Sequence, residues 1–263
     1  EAIPAPKPVD RIPFLESIHK AQFKALPSGF KNLSASEIEQ INKDPYASPW
    51  MAQQEKGTRP ASPLPYQLYA DGKLSDDGQT FKIKFAAGNE VFGASAAGSP
   101  FYVYMPEKDV APRNYAVNAG DQLIDEWALN ANENYHLQVY GPNGFFREFT
   151  GNGNDPAIDI ALEYQRTAAA KKALTGNVEI KLRNTGKQKI TVEVSDNAYK
   201  GKAQTKIINP GAQATLIADL SKNSGWYDLS VKVKGQKDFE KRYAGRVETG
   251  RISITDPVMG RMV

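Results

Sequence analysis

The stretch from Asn134 to Gly151 constrains this chain most, because it reads as a β-hairpin and because its design returns later. Apolar residues take alternate positions on the first arm (Tyr135, Leu137, Val139). Gly141-Pro142-Asn143-Gly144 supplies residues that tolerate positive φ, and the second arm, Phe145 to Phe149, carries three phenylalanines. A lone two-stranded ribbon is marginal in water, so this one needs a second layer over its apolar side. About 92 residues on, Gly225 to Gly245 repeats the arrangement, with Tyr227, Leu229 and Val231 alternating and Gly235-Gln236-Lys237 at the turn. The chain contains an internal repeat.

From Tyr66 onward the hydrophobic period is two. Strands of the first repeat are expected at Tyr66 to Ala70, Thr80 to Ala86, Phe101 to Met105, Arg113 to Val117, Leu123 to Leu129, Tyr135 to Tyr140 and Phe145 to Thr150. Those of the second are expected at Asp159 to Tyr164, Asn177 to Asn184, Ile190 to Ser195, Gln204 to Ile208, Gln213 to Leu220, Tyr227 to Lys234 and Phe239 to Gly245. Lys82-Ile83-Lys84-Phe85 aligns with Glu179-Ile180-Lys181-Leu182, and Phe149-Thr150-Gly151 with Tyr243-Ala244-Gly245. Seven short strands per repeat, with Asp, Gly, Asn and Pro between them, suggest a sandwich. A closing strand is expected at Arg251 to Thr255, while Arg166 to Leu174 is left open between helix and loop.

The N-terminal part is different. Residues 1–13 hold four of the 17 prolines and read as an extended tether. Phe14 to Leu26 has helical spacing, and a second helix starts at Ser34, with Glu37 completing a capping box, Leu33 stapling onto Ile38, and an end near Asp44 before Pro45. Asp44 to Pro65 is a proline-rich strap whose Tyr46, Trp50 and Met51 are expected on the folded body. The expected class is therefore all-β: two tandem β-sandwich domains of the immunoglobulin/fibronectin-like type, preceded by a mostly irregular linker with one or two short helices. The divisions are a linker at 1–63, a first repeat at 64–155, a second at 156–256 and a tail at 257–263.

Composition narrows the function. Thirty-three basic and 30 acidic side chains leave a net charge of +3, too balanced and dispersed for a phosphate-tracking surface, so no nucleic-acid partner is expected. No run approaches the roughly 20 apolar residues of a membrane-spanning helix. Cysteine is absent, which removes disulfides, thiolate metal sites and cysteine nucleophiles. Residue 1 is Glu with no leader pattern after it, which reads as a start inside a longer or processed chain.

A search for reactive groups finds little. His19 sits on the linker helix and His136 on the polar side of its strand, and neither has a ligand partner at helical or strand spacing. No metal and no cofactor are expected. Asp125 and Glu126, with Asp121 nearby, are a carboxylate group of the kind a glycan-cleaving enzyme uses, but on a strand Asp125 and Glu126 point to opposite sides. Gly151-Asn152-Gly153-Asn154-Asp155 is rich in oxygen ligands, lacks the spacing of a calcium loop, and reads as an inter-repeat turn. No catalytic residue is assigned. Candidate binding residues are the aromatics Tyr102, Tyr104, Trp127, Phe145 and Phe146, of which the last pair puts one ring on each side of the hairpin.

The strap and hairpins resemble a known family. Pro45-Tyr46, Pro49-Trp50-Met51, Gln54-Glu55, Gly57, Arg59-Pro60 and Leu64-Pro65-Tyr66, then Gly141-Pro142-Asn143-Gly144-Phe145 and Gly225-Trp226-Tyr227-Asp228-Leu229, look like the C-terminal region of bacterial phosphocholine-specific phospholipases C. In such proteins a large N-terminal α/β phosphoesterase domain carries the metal site and the nucleophile, and no motif of that domain is found in this sequence. What the resemblance implies is a non-catalytic C-terminal region of an exported phospholipase C. Its expected location is secreted or periplasmic. Its expected partners are its own N-terminal catalytic domain and a membrane lipid surface or an accessory protein to which that domain is presented. The rival expectation is a module binding glycan or lipid headgroups through the aromatics named above.

Overall fold

The computed structural model describes residues 32–45, 55–130, 133–168 and 173–263. The chain forms two compact units, Glu1–Gln54 and Glu55–Val263. The described part of the first unit is one helix, α1 (Ala35–Lys43). Ser34 Oγ accepts from the Glu37 amide at 3.4 Å while Glu37 Oε2 accepts from the Ser34 amide at 2.9 Å, so two otherwise orphaned donors are satisfied reciprocally. The helix ends at Asp44, ahead of Pro45. The expected helix at Phe14 to Leu26, His19, and the expected burial of Tyr46, Trp50 and Met51 lie outside the described residues.

The second unit is all-β. In the first repeat β2 (Leu68–Leu74), β3 (Thr80–Ala87) and β6 (Gln122–Ala128) form a three-stranded sheet, with β3 in the middle. It faces β4 (Ser99–Tyr104), β5 (Arg113–Val117), β7 (Tyr135–Tyr140) and β8 (Phe146–Gly151), ordered β8-β7-β4-β5. Alternation explains the layering: on β3, Phe81, Ile83, Phe85 and Ala87 are buried while Lys82 and Lys84 stay in water. Each wholly buried ring or branched side chain contributes on the order of 2 kcal/mol. The β7–β8 hairpin turns at Asn143 (φ 58°) and Gly144 (φ 72°), the left-handed pair that such a turn requires.

The second repeat copies the plan. Its β9 (Ile158–Arg166), β10 (Leu174–Asn184) and β13 (Gln213–Ala218) form the small sheet, and β11 (Ile190–Asp196), β12 (Gln204–Ile208), β14 (Trp226–Val233) and β15 (Glu240–Arg246) the large one. Two hydrophobic cores result, one per repeat. The segment left open between helix and loop is a connection from β9 into β10, and of it residues 169–172 lie outside the described residues.

Three features depart from expectation. The first strand, expected to end at Ala70, runs on through Asp71-Gly72 to Leu74; a Cβ on Gly72 would sit 2.6 Å from the Phe81 ring, so the glycine makes room for a core aromatic. The closing strand shortens to β16 (Ser253–Ile254) and pairs with β1 (Pro60–Ala61) of the strap rather than joining a sandwich. Gly57 N donating to Gly260 O at 2.8 Å extends this stitch of strap to tail. The third is the largest: β8 pairs with β15, so the two four-stranded sheets fuse into one of eight strands, β12-β11-β14-β15-β8-β7-β4-β5.

That junction has a pseudo-two-fold axis. Tyr135 pairs with Gly151 and Tyr227 with Gly245, so position 151 corresponds to 245, and Glu148 pairs with Arg242, its own equivalent. Around the axis Arg147 and its equivalent Lys241 are both buried, 1% and 4% exposed. Arg147 donates to Phe146 O and Ala244 O, each at 2.8 Å, and to the Tyr227 hydroxyl at 3.1 Å, with its guanidinium 4.0 Å from the Phe145 ring centre. Lys241 Nζ donates to Gly72 O at 2.5 Å. Burial raises the Asp71 carboxyl above its usual range, against the opposing pull of Arg147 and Lys241. The seam is thus an ionic cluster with aromatic walls, not an apolar contact.

Candidate functional site

The outward side of the fused sheet carries an aromatic row that no other element among the described residues covers. Cross-strand pairing places Tyr102 opposite Tyr140 and Tyr140 opposite Phe146, on β4, β7 and β8. Tyr104 lies two residues along β4 on the same side, 5.5 Å edge-to-face from Tyr140, and the Tyr140 and Phe146 rings are 5.0 Å apart. Tyr102, Tyr104 and Tyr140 are 43%, 41% and 40% exposed. The Arg242 guanidinium stands 5.5 Å from the Phe146 ring centre, which carries the row to the seam.

Beside the rings runs a chain of hydrogen bonds. The Tyr140 hydroxyl donates to Gln138 Oε1 at 2.9 Å, and Gln138 Nε2 donates to Glu148 Oε1 at 2.7 Å. The same oxygen is 2.8 Å from His136 Nε2, whose Nδ1 lies 3.2 Å from Glu107. Burial alone would raise the Glu148 carboxyl; Gln138, His136 and the Arg242 charge hold it below its usual range instead. Arg242 grips Asp228 with two bonds of 2.8 and 2.7 Å, which likewise outweigh burial at that carboxyl. These groups are fixed in place before any ligand arrives.

The five sequence-named aromatics are therefore divided. Tyr102, Tyr104 and Phe146 share the outer face. Trp127 and Phe145 do not: at 3% and 4% exposed they belong to the first core, Trp127 because its position on β6 alternates inward, and Phe145 because it covers Phe101 and Arg147. Tyr140, Gln138, Glu148 and Arg242 were missed, although the outward parity of Tyr140 with His136 was readable from the strand alternation.

Other candidates are tied into structure. Asp125 accepts from Arg113 at 2.7 Å and from the Tyr115 hydroxyl, and Glu126 pairs with Lys82 at 2.7 Å from the opposite side of β6. The Gly151 to Asp155 segment is a turn in which Asn152 Oδ1 accepts from the Asn154 amide, while Asp155 accepts from the Asn152 amide and the Tyr135 hydroxyl. A cleft of about 520 Å³ beside the seam is lined by Lys73, Lys181, Arg183 and Lys241, but Lys73 is held by Asp159 and Lys181 by Glu163.

Fold and site define a two-repeat β-sandwich body with a prepared aromatic and polar face. The family of the bacterial phospholipase C C-terminal domain matches it twice, at residues 60–152 and 158–246. The chain belongs to that family. It is 33% identical over 235 residues to a non-hemolytic phospholipase C of Pseudomonas aeruginosa, covering 86% of this chain and 32% of the relative. It is 34% identical over 218 residues to a non-hemolytic phospholipase C of Burkholderia pseudomallei (82% and 30%) and over 232 residues to a hemolytic phospholipase C of Pseudomonas aeruginosa (78% and 30%). The chain thus spans about a third of the length of the curated relatives it matches. Among solved structures, red sea bream transglutaminase aligns with 89% of this chain and 34% of its own at 11% identity and a TM-score of 0.21, too low to carry an argument.

Proposed function

We infer that this chain is the non-catalytic C-terminal portion of an exported bacterial phospholipase C, and that it serves as a rigid support for the catalytic part of the same polypeptide. The supporting observation is the fused sheet: two sandwiches joined strand to strand over a buried Arg147 and Lys241 share one continuous sheet, which suits a platform better than a hinged pair of modules. The carboxylates weighed for catalysis, Asp125 and Glu126, are each spent on a cation within the sheet. The relatives' names supply the reaction, hydrolysis of a phospholipid at the phosphodiester, and the length outside this chain supplies room for the machinery.

Two measurements test this reading. The purified chain, given phosphatidylcholine vesicles, should release no water-soluble phosphate ester; turnover would overturn the non-catalytic assignment. A polypeptide of the relatives' full length should unfold at a higher temperature than one truncated ahead of position 55, and equal stability would remove the support role.

A further inference from the structure

The internal repeat supplies a control for the aromatic row. Repeat equivalence puts Glu193 where Tyr102 stands, Lys232 where Tyr140 stands and Glu240 where Phe146 stands, with the same cross-strand pairing of the three. There Lys232 and Glu240 form an ion pair at 3.0 Å, open to water. One backbone thus carries a charged, solvated row in the second repeat and three aromatic rings in the first. The fold does not require the rings, and about two-fifths exposure of each of three tyrosines forfeits burial that the core could have given them.

We propose that this face of the first repeat binds a neutral polysaccharide chain. The rings offer apolar area to the C–H faces of pyranose units, and the line of Gln138, His136, Glu148 and Arg242 offers planar donors and acceptors to the hydroxyls. The hydroxyls of Tyr102 and Tyr104 have no partner among the described residues, which leaves two further groups for the ligand. Charge selects against an anionic membrane surface. Among the described residues, Glu107, Glu148 and Asp228 outnumber Arg242 beside the row, with His136 shared between two of the carboxylates, so the local field repels anionic headgroups. The rings also lie along strands in the sheet rather than on projecting loop tips, where a bilayer would meet them first.

The test is affinity electrophoresis of the purified chain in gels containing barley β-glucan, galactomannan or dextran, with polygalacturonate as charged comparator, beside flotation with phosphatidylcholine vesicles with and without phosphatidylglycerol. At least one neutral polymer should retard the chain. The triple variant Tyr102→Glu, Tyr140→Lys, Phe146→Glu installs the second repeat's own ion row, which this backbone already accommodates, and should weaken retardation at least tenfold at an unchanged unfolding midpoint. Should that variant unfold, Tyr102→Ser with Tyr104→Ser reads the same loss. Lys232→Ala, on the equivalent row, should leave retardation unchanged. No retardation by any neutral polymer, undiminished retardation of the ring variants, or binding to vesicles or polygalacturonate alone would overturn the proposal.

Discussion

Replacing Lys241 by methionine should flatten the alkaline side of the stability curve. The amine lies in the seam with one donor on Gly72 O, and burial pushes its pKa down to about 8, although Asp71, Asp155 and Asp159 pull it back up. The folded protein therefore releases this proton near pH 8, while the unfolded chain keeps it to about 10.5. Between those values the unfolded state binds more protons, so stability rises with pH; below pH 8 both states are protonated and the contribution is constant. The displacement corresponds to about 3 kcal/mol, of which roughly 2 kcal/mol falls between pH 8 and pH 10. Methionine keeps an unbranched stem without a titrating group, so Lys241→Met lacks this slope. Urea unfolding at pH 7, 8, 9 and 10 should show the native chain gaining about 2 kcal/mol on the variant across the upper interval. The window stops at pH 10 because Tyr164 and Tyr243, raised by burial, begin to lower stability above it in both proteins. Parallel curves would refute the dry environment assigned to the amine.

Other predictions concern the same junction. In Gly151→Ala the new methyl would strike the Asp155 carboxylate and stand 2.5 Å from the Tyr135 hydroxyl, breaking a partly buried bond between them; the expected loss is about 2–4 kcal/mol in chemical denaturation. Gly245→Ala, at φ 151° and 3.1 Å from the Tyr227 hydroxyl, should cost about 1–3 kcal/mol, and an unchanged midpoint in both would remove the steric reason for the shared glycine. Arg242→Glu sets an acid against Glu148 and removes the cation from Asp228, which keeps its bond from Asn197; because Arg242 is partly exposed, about 1–2 kcal/mol is expected, shrinking in 1 M salt, and a loss insensitive to salt would point to packing instead of charge.

How much of this was legible differs by feature. Strand positions were readable because each sandwich buries only one side of each strand, so period two survives in the sequence; β5, β7 and β12 fall where alternation and turn residues put them. The Asn143-Gly144 turn was readable from its backbone chemistry. The continuation of the first strand past Ala70 was not readable, because a glycine that admits a ring and a glycine that turns a chain look alike without coordinates. The β8–β15 junction was not readable from periodicity, since edge pairing uses main-chain groups that every residue has. A trace of it was nevertheless present: Arg147 lies at the inward parity shared by Phe145 and Phe149, and Lys241 at that of Phe239 and Tyr243. A cation at the same inward position of both repeats needs a partner, and the neighbouring repeat provides one. The binding face was only half legible, because alternation tells which rings face out of a strand but not which outward side chains of other strands stand beside them.

The junction also carries a physical reason for the two repeats to pair with each other and not with copies of themselves. When two strands pair antiparallel about a two-fold axis, one position of each lies against its equivalent; here that is Glu148 against Arg242, 3.7 Å apart. Two first repeats joined in this register would set Glu148 against Glu148, and two second repeats Arg242 against Arg242, like charges directly opposed across strands. Arg147 and Lys241 add to the discrimination: the guanidinium spans Ala244 O and the Tyr227 hydroxyl of the second repeat, while the amine reaches Gly72 of the first. Equivalents that the repeats share, the Tyr–Gly pairs and the inward cations, serve this architecture. Equivalents that have diverged without structural need, Tyr102, Tyr140 and Phe146 against Glu193, Lys232 and Glu240, are where a role beyond architecture has room to act, and they lie together on one face.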